Sequence, residues 1–118
     1  MKGTARSTMM VALSLFCLAV TEANATFVEG NILFEHCKDF ELIKTDWFSG
    51  ACAGYVLGAE DAFDQTNKPF CVPEGPTGDI AEQLVETVTL YLRDHPETRH
   101  LSASSLVAAA LKEKFPCN

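Results

Sequence analysis

Four cysteines, Cys37, Cys52, Cys71 and Cys117, constrain this chain most, and the last stands next to the C-terminal Asn118. Chain ends fray because few contacts hold them, so a cysteine there indicates a covalent tie. The four are separated by 14, 18 and 45 residues and form no CxxC pair, which disfavours a zinc knuckle or a thioredoxin-like redox site. If these four belong to a small exported domain, their even number predicts a disulfide framework with three possible pairings.

The first 25 residues have the pattern of a cleavable secretory signal. Two basic residues precede an apolar run over residues 9–20, and a small-x-small cleavage site ends at Ala25. An uncleaved signal anchor is the alternative, but the run is shorter than the roughly 20 residues that a membrane-spanning helix needs. We therefore expect cleavage after Ala25, which removes the fifth cysteine, Cys17, and leaves one domain of residues 26–118 with no membrane contact.

The expected mature chain is strongly acidic. Without Lys2, Arg6 and Glu22 it keeps 7 basic and 15 acidic residues, a formal charge of −8. This charge argues against nucleic acid or an anionic membrane as a partner and allows a basic protein partner. The alternative interpretation is that the charge only keeps the protein soluble.

Apolar residues recur at helical spacing in four segments, whereas the alternation typical of strands is nearly absent. The pattern predicts an all-α fold, a small disulfide-stapled bundle of four helices, or of five. Capping preferences place the four helix starts at Asn31, Ser49, Asp79 and Ser102.

Three glycines, Gly50, Gly54 and Gly58, recur every four residues on one face of the second predicted helix. Glycine inside a helix costs about 1 kcal/mol relative to alanine, so three in register suggest a packing reason. We expect a neighbouring helix to approach this face closely. Local kinking is the alternative.

Helical hairpins favour one of the three disulfide pairings. If the third and fourth helices are antiparallel, the start of the third and the end of the fourth lie together, which brings Cys71 near Cys117. The same argument places Cys37 and Cys52 across the short connection between the first two helices. The preferred pairs are therefore Cys37–Cys52 and Cys71–Cys117.

Motifs for catalysis or for metal and cofactor binding are not found in the sequence. HExxH, GxSxG and a phosphate-binding glycine loop are missing, and Glu60, Asp61 and Asp64 lack the spacing of an EF-hand loop. A Cys/His nucleophilic pair would need a reduced cysteine, which conflicts with an oxidising compartment. We expect no catalytic, cofactor-binding or metal-binding residues, and no enzyme activity.

Four successive blocks carry a resemblance to a known family. "GNILFEHC", "CAGYVLGAEDA", "FCVPEG" and "QLVETVTLYLRDHPETRHLSASSLVAAALKEKFPC" occur in order, cover nearly all of residues 26–118 and include all four cysteines. They resemble the Rap/Tai family of immunity proteins from type VI secretion systems. The resemblance implies a periplasmic helical domain, often a homodimer, that binds and inhibits a peptidoglycan amidase whose Cys/His pair belongs to the toxin.

Polar side chains suited to directed contacts lie in the connection between the third and fourth helices, residues 93–102, which Pro96 stiffens. Rigid presentation lowers the ordering cost of binding, so we expect this connection to bind the partner. The predicted partner-binding residues are Arg93, Asp94, Glu97, Arg99 and His100.

Alternatives to this interpretation remain open. The connection is equally compatible with an ordinary solvated turn, and the acidic end of the second helix, at Glu60, Asp61 and Asp64, is the alternative binding surface. A non-enzymatic periplasmic binding or chaperone-like module is the alternative function, because a scaffold does not settle function.

Overall fold

A computed structural model describes residues 26–64 and 67–118, so the predicted signal segment lies outside the described residues. Within them the chain forms four α-helices and no strand. The helices are α1 (Gly30–Cys37), α2 (Trp47–Asp64), α3 (Thr77–Asp94) and α4 (Ala103–Lys114). A 3₁₀ turn, Pro96–Thr98, lies between α3 and α4, where Pro96 prevents α3 from continuing. The predicted all-α bundle of four helices is confirmed.

The core is built from the apolar stripes of the helices. α3 and α4 contribute most of it, because their buried apolar residues recur at helical spacing. Phe70, in the α2–α3 connection, is 1% exposed and closes the bundle against Phe63 at the end of α2. The largest fully buried side chains include Leu33, Val56, Phe70, Val85, Val88, Leu92, Val107 and Leu111.

The start of α1 is held by a distant part of the chain. Asn31, the expected N-cap, lies inside the helix, and no side chain caps its first turn. The backbone N–H groups of Gly30 and Asn31 instead donate to the carbonyls of Leu101 (2.9 Å) and Arg99 (2.8 Å). Carbonyls of the α3–α4 connection therefore take the place of a capping side chain.

The α2 and α3 starts also differ from expectation. α2 begins at Trp47, two residues before the expected cap Ser49, because the Asp46 carboxylate accepts a hydrogen bond from the Ser49 N–H at 2.9 Å. That hydrogen bond lowers the pKa of Asp46. α3 begins at Thr77, so Asp79 lies in its first turn rather than at the cap.

The α4 start is the one placed as expected. Ser102 occupies the N-cap position, although its side chain hydrogen-bonds Ser104 Oγ rather than the backbone.

The expected close packing on the α2 glycine face is wrong. Gly50, Gly54 and Gly58 are exposed, and a Cβ atom built on any of them meets nothing within 4 Å among the described residues. Helical spacing places these glycines on one face but does not determine whether another helix covers it.

Close packing requires a glycine at position 30. A Cβ atom there would clash with Leu106 Cδ1 and would lie 2.9 Å from the Arg99 carbonyl oxygen. The Leu106 side chain could move, but the Arg99 oxygen is backbone and is itself bonded to α1. Glycine at position 30 thus allows the α3–α4 connection to lie directly against α1.

Two alanine substitutions separate these roles of glycine. We expect Gly30→Ala to lower the free energy of unfolding by about 1–3 kcal/mol, the usual cost of overpacking. Gly54→Ala is the matched control, and it should raise that free energy by up to about 1 kcal/mol because alanine favours the helix. Urea unfolding of both variants measures the difference, and an unchanged midpoint for Gly30→Ala would contradict the close approach.

Two disulfide bonds link the elements: Cys37 to Cys52, and Cys71 to Cys117. These are the two pairs that the helical hairpins favour. The first bond joins α1 to α2 inside the core, with both cysteines at most 1% exposed. The second lies at the surface and fastens the chain end to the α2–α3 connection, where Cys71 N–H also donates to the Phe115 carbonyl at 2.8 Å.

Candidate partner-binding site

The segment expected to bind a partner, residues 93–102, is firmly attached to the bundle. Its carbonyls cap α1, and an isolated antiparallel bridge joins Glu29 to Ser102. The Ala103 N–H donates to the Val28 carbonyl at 2.9 Å immediately after the segment. These bonds fix its backbone, so a partner would meet a surface that is already ordered.

The five predicted residues do not converge on one point. Arg93 lines a cleft of about 290 Å³ between α3 and the start of the α1–α2 connection. Asp94 lines a different cleft, of about 200 Å³, between α3 and α4. Glu97 and His100 are exposed at the surface of the turn.

Arg99 differs from the other four because its side chain packs against α1. Its guanidinium carbon lies 4.3 Å from the centre of the Phe34 ring, a cation–π contact. Its Nε atom is buried and has no hydrogen-bond partner among the described residues. Replacing Arg99 would therefore disturb α1 packing, which makes it unsuitable as a probe of binding alone.

The alternative surface at the end of α2 is partly neutralised. Lys68 forms ion pairs with Glu60 and with Asp64, the latter at 3.2 Å. Partial burial lowers the pKa of Lys68, but hydrogen bonds to the two carboxylates more than offset this, and the net shift is upward. Asp61 lines a cleft of about 390 Å³ formed with the α2–α3 connection and α3.

Sequence reasoning missed a group of exposed apolar side chains in and after the α1–α2 connection. Ile43 is 91% exposed, Trp47 76% and Phe48 56%, and Leu42 is also exposed. The signal was present in the stretch "ELIKTDWF", where four large apolar residues follow no helical or strand periodicity. Apolar residues that belong to no periodic stripe are candidates for a surface that binds another molecule.

The fold and the exposed surfaces indicate what kind of protein this is. Within residues 26–64 and 67–118, no three His, Cys, Asp or Glu side chains are grouped to hold a metal ion, and no helix is long and apolar enough to cross a membrane. The described chain is a small helical domain, fastened by two disulfides, with exposed polar and apolar surfaces suited to a protein partner.

Comparison with known proteins identifies the family. The model of the Rap1a immunity proteins matches residues 29–117, and the chain belongs to this family. The resemblance inferred from the sequence blocks is thereby confirmed. Neither a curated protein nor a solved structure gives a significant match.

Proposed function

We propose that this protein is a periplasmic immunity protein that binds and inhibits a peptidoglycan amidase delivered by a type VI secretion system. Family membership over residues 29–117 is the observation that carries the proposal. It acts without catalysis, by occupying the surface of the toxin. The exposed residues of the 93–102 segment, Arg93, Asp94, Glu97 and His100, supply directed polar contacts, while Arg99 fixes the segment against α1.

Two further features support this function. The backbone of the 93–102 segment is bonded to α1, so binding orders few additional groups. The charge of −8 on residues 26–118 favours encounter with a basic partner surface.

Export is part of the proposal, with residues 1–25 as signal and residues 26–118 as the mature domain. We expect periplasmic material to begin at Thr26 and to contain no free thiol, because both disulfides form in an oxidising compartment. Intact mass measurement should show the cleaved chain lighter by four hydrogens than its reduced form. An uncut N-terminus or a mass with free thiols would contradict the expectation.

Co-expression tests the function in cells. An amidase encoded by the neighbouring gene, directed to the periplasm, should lyse cells that lack this protein and spare cells that export it. A version without residues 1–25 is the matched control and should give no protection, because it does not reach the toxin. Lysis despite export of the folded protein would reject the proposed function.

A chaperone-like module is the second candidate, favoured by the exposure of Ile43 and Trp47. Such a module binds many unfolded clients weakly, whereas an inhibitor binds one folded enzyme. Suppression of aggregation of unrelated unfolded proteins, together with no affinity for the amidase, would favour it.

The resemblance also implies a homodimer, which we carry forward as a proposal. Sedimentation equilibrium of the purified mature domain should then give twice the mass of one chain, and a single-chain mass would contradict it.

A further inference from the structure

The Cys37–Cys52 bond closes a ring, residues 38–51, that contains an unusual concentration of exposed apolar surface. Of the eight large apolar side chains exposed in the described residues, four lie in this ring. They are Leu42, Ile43, Trp47 and Phe48, which we call the ring anchors. The uneven distribution indicates that the ring has a role beyond joining α1 to α2.

Folding does not account for the ring anchors. Burial of apolar surface stabilises a fold by about 25 cal/mol per Å². The Ile43 and Trp47 side chains are mostly exposed to water and do not gain this stabilisation. Phe40, in the same ring, shows the contrast, because it packs against the hydrophobic core. The five large apolar side chains of the ring therefore divide into one that packs on the core and four that are exposed.

The ring is fixed before any partner binds. The disulfide holds both of its ends, and the Asp46 carboxylate caps α2 through the Ser49 N–H. The Phe48 ring also packs against the His36 ring of α1, with 5.4 Å between the ring centres. Large aromatic side chains presented on an ordered surface are the usual hot spots of protein interfaces, because little entropy is lost when they bind.

The charges around the anchors favour a basic partner over a second copy of this chain. The two lysines of the ring are already paired, Lys38 with Glu35 at 2.8 Å and Lys44 with Asp46 at 3.5 Å. Asp39 and Glu41 have no ion pair in the described part of the chain. A second copy docked on this face would bring the same unpaired carboxylates against Asp39 and Glu41, so the homodimer proposed above would use another face.

We propose that the ring anchors insert into an apolar pocket within a basic surface of the amidase effector. The inference rests on the proposed function and adds a second contact region to it. The cleft of about 290 Å³ joins the two regions, since Lys38 and Phe40 of the ring line it together with Leu90 and Arg93 of α3. Polar contacts of the 93–102 segment set orientation, and the ring anchors supply most of the affinity.

Trp47 is the only tryptophan of the chain, which makes it a direct probe. A sample labelled with fluorotryptophan has one fluorine resonance, and we expect it to shift when the amidase encoded by the neighbouring gene is added. Calorimetry should show that Trp47→Ala weakens binding at least about 30-fold, as for an interface hot spot. Phe27→Ala, which removes an even more exposed aromatic side chain outside the ring, is the matched control and should change affinity less than about threefold.

Each other outcome has a distinct meaning. Normal amidase binding with an unmoved fluorine resonance and an unaffected Trp47→Ala variant would overturn this inference and leave the proposed function intact. No amidase binding by the wild-type protein would reject the proposed function, and this inference with it. A resonance that moves with the protein's own concentration, without amidase, would assign the anchors to a second copy and overturn the inference.

Discussion

Replacing Cys71 and Cys117 together by serine is expected to lower the free energy of unfolding by about 4 kcal/mol. The bond spans 46 residues, and in the chain-entropy model a loop of that size restricts the unfolded chain by about that amount. Both cysteines are exposed, so the substitutions leave no cavity in the core. For a domain of this size the melting temperature should fall by about 15–30 °C.

Thermal unfolding followed by circular dichroism measures this effect. Cys17→Ser is the matched control, because it changes a cysteine in the segment proposed to be removed and should leave the melting temperature of the exported protein unchanged. An unchanged melting temperature in the Cys71→Ser, Cys117→Ser variant would contradict the stabilising role of the terminal bond.

Replacing Cys37 and Cys52 together by alanine should damage both stability and binding. This bond spans 15 residues, so the chain-entropy model gives about 3 kcal/mol, and further stability is lost because both sulfur atoms belong to the packed core. Opening the ring also frees the backbone that presents Ile43 and Trp47. We therefore expect amidase affinity to fall by at least about tenfold at a temperature where the variant is still folded.

The two double variants are controls for each other. The variant at residues 71 and 117 keeps the ring closed, so it should lose stability but bind the amidase with nearly wild-type affinity. Equal loss of affinity in both, measured by calorimetry well below their melting temperatures, would show that general destabilisation rather than the ring controls binding.

Sequence patterns were sufficient to predict the four helices, but of their starts they placed only that of α4 correctly. The buried stripes that contain Leu84, Val88 and Leu111 are visible in the sequence, because residues buried on one face of a helix recur at helical spacing. The start of α1 carries no such signal, since its N–H groups are satisfied by the Arg99 and Leu101 carbonyls. Those partners lie far along the chain and enter only through the tertiary fold.

Glycine positions show the same limit. Gly54 and Gly30 are chemically identical in the sequence, yet one faces open space and the other lies against backbone. The regular spacing of the α2 glycines predicted close packing at a face that is exposed. The close approach at Gly30 depends on where the α3–α4 connection lies, and no local pattern specifies that.

The candidate site was predictable only in part. Polar residues beside Pro96 indicated an ordered, exposed connection, and the structure places Glu97 and His100 at its surface. Arg99 looked equivalent in the sequence, but Phe34 lies beneath its guanidinium group. The ring anchors were missed because they belong to no buried apolar stripe, and two of them, Leu42 and Ile43, lie outside the helices.

The most direct test of the central claim is a titration of amidase activity. Purified mature domain, residues 26–118, is added to the amidase encoded by the neighbouring gene while cleavage of peptidoglycan cross-links is followed. An immunity protein that acts by occupying the enzyme should reduce activity linearly to near zero at a fixed whole-number ratio of chains to enzyme. Full activity in the presence of excess folded, disulfide-bonded protein would contradict the account.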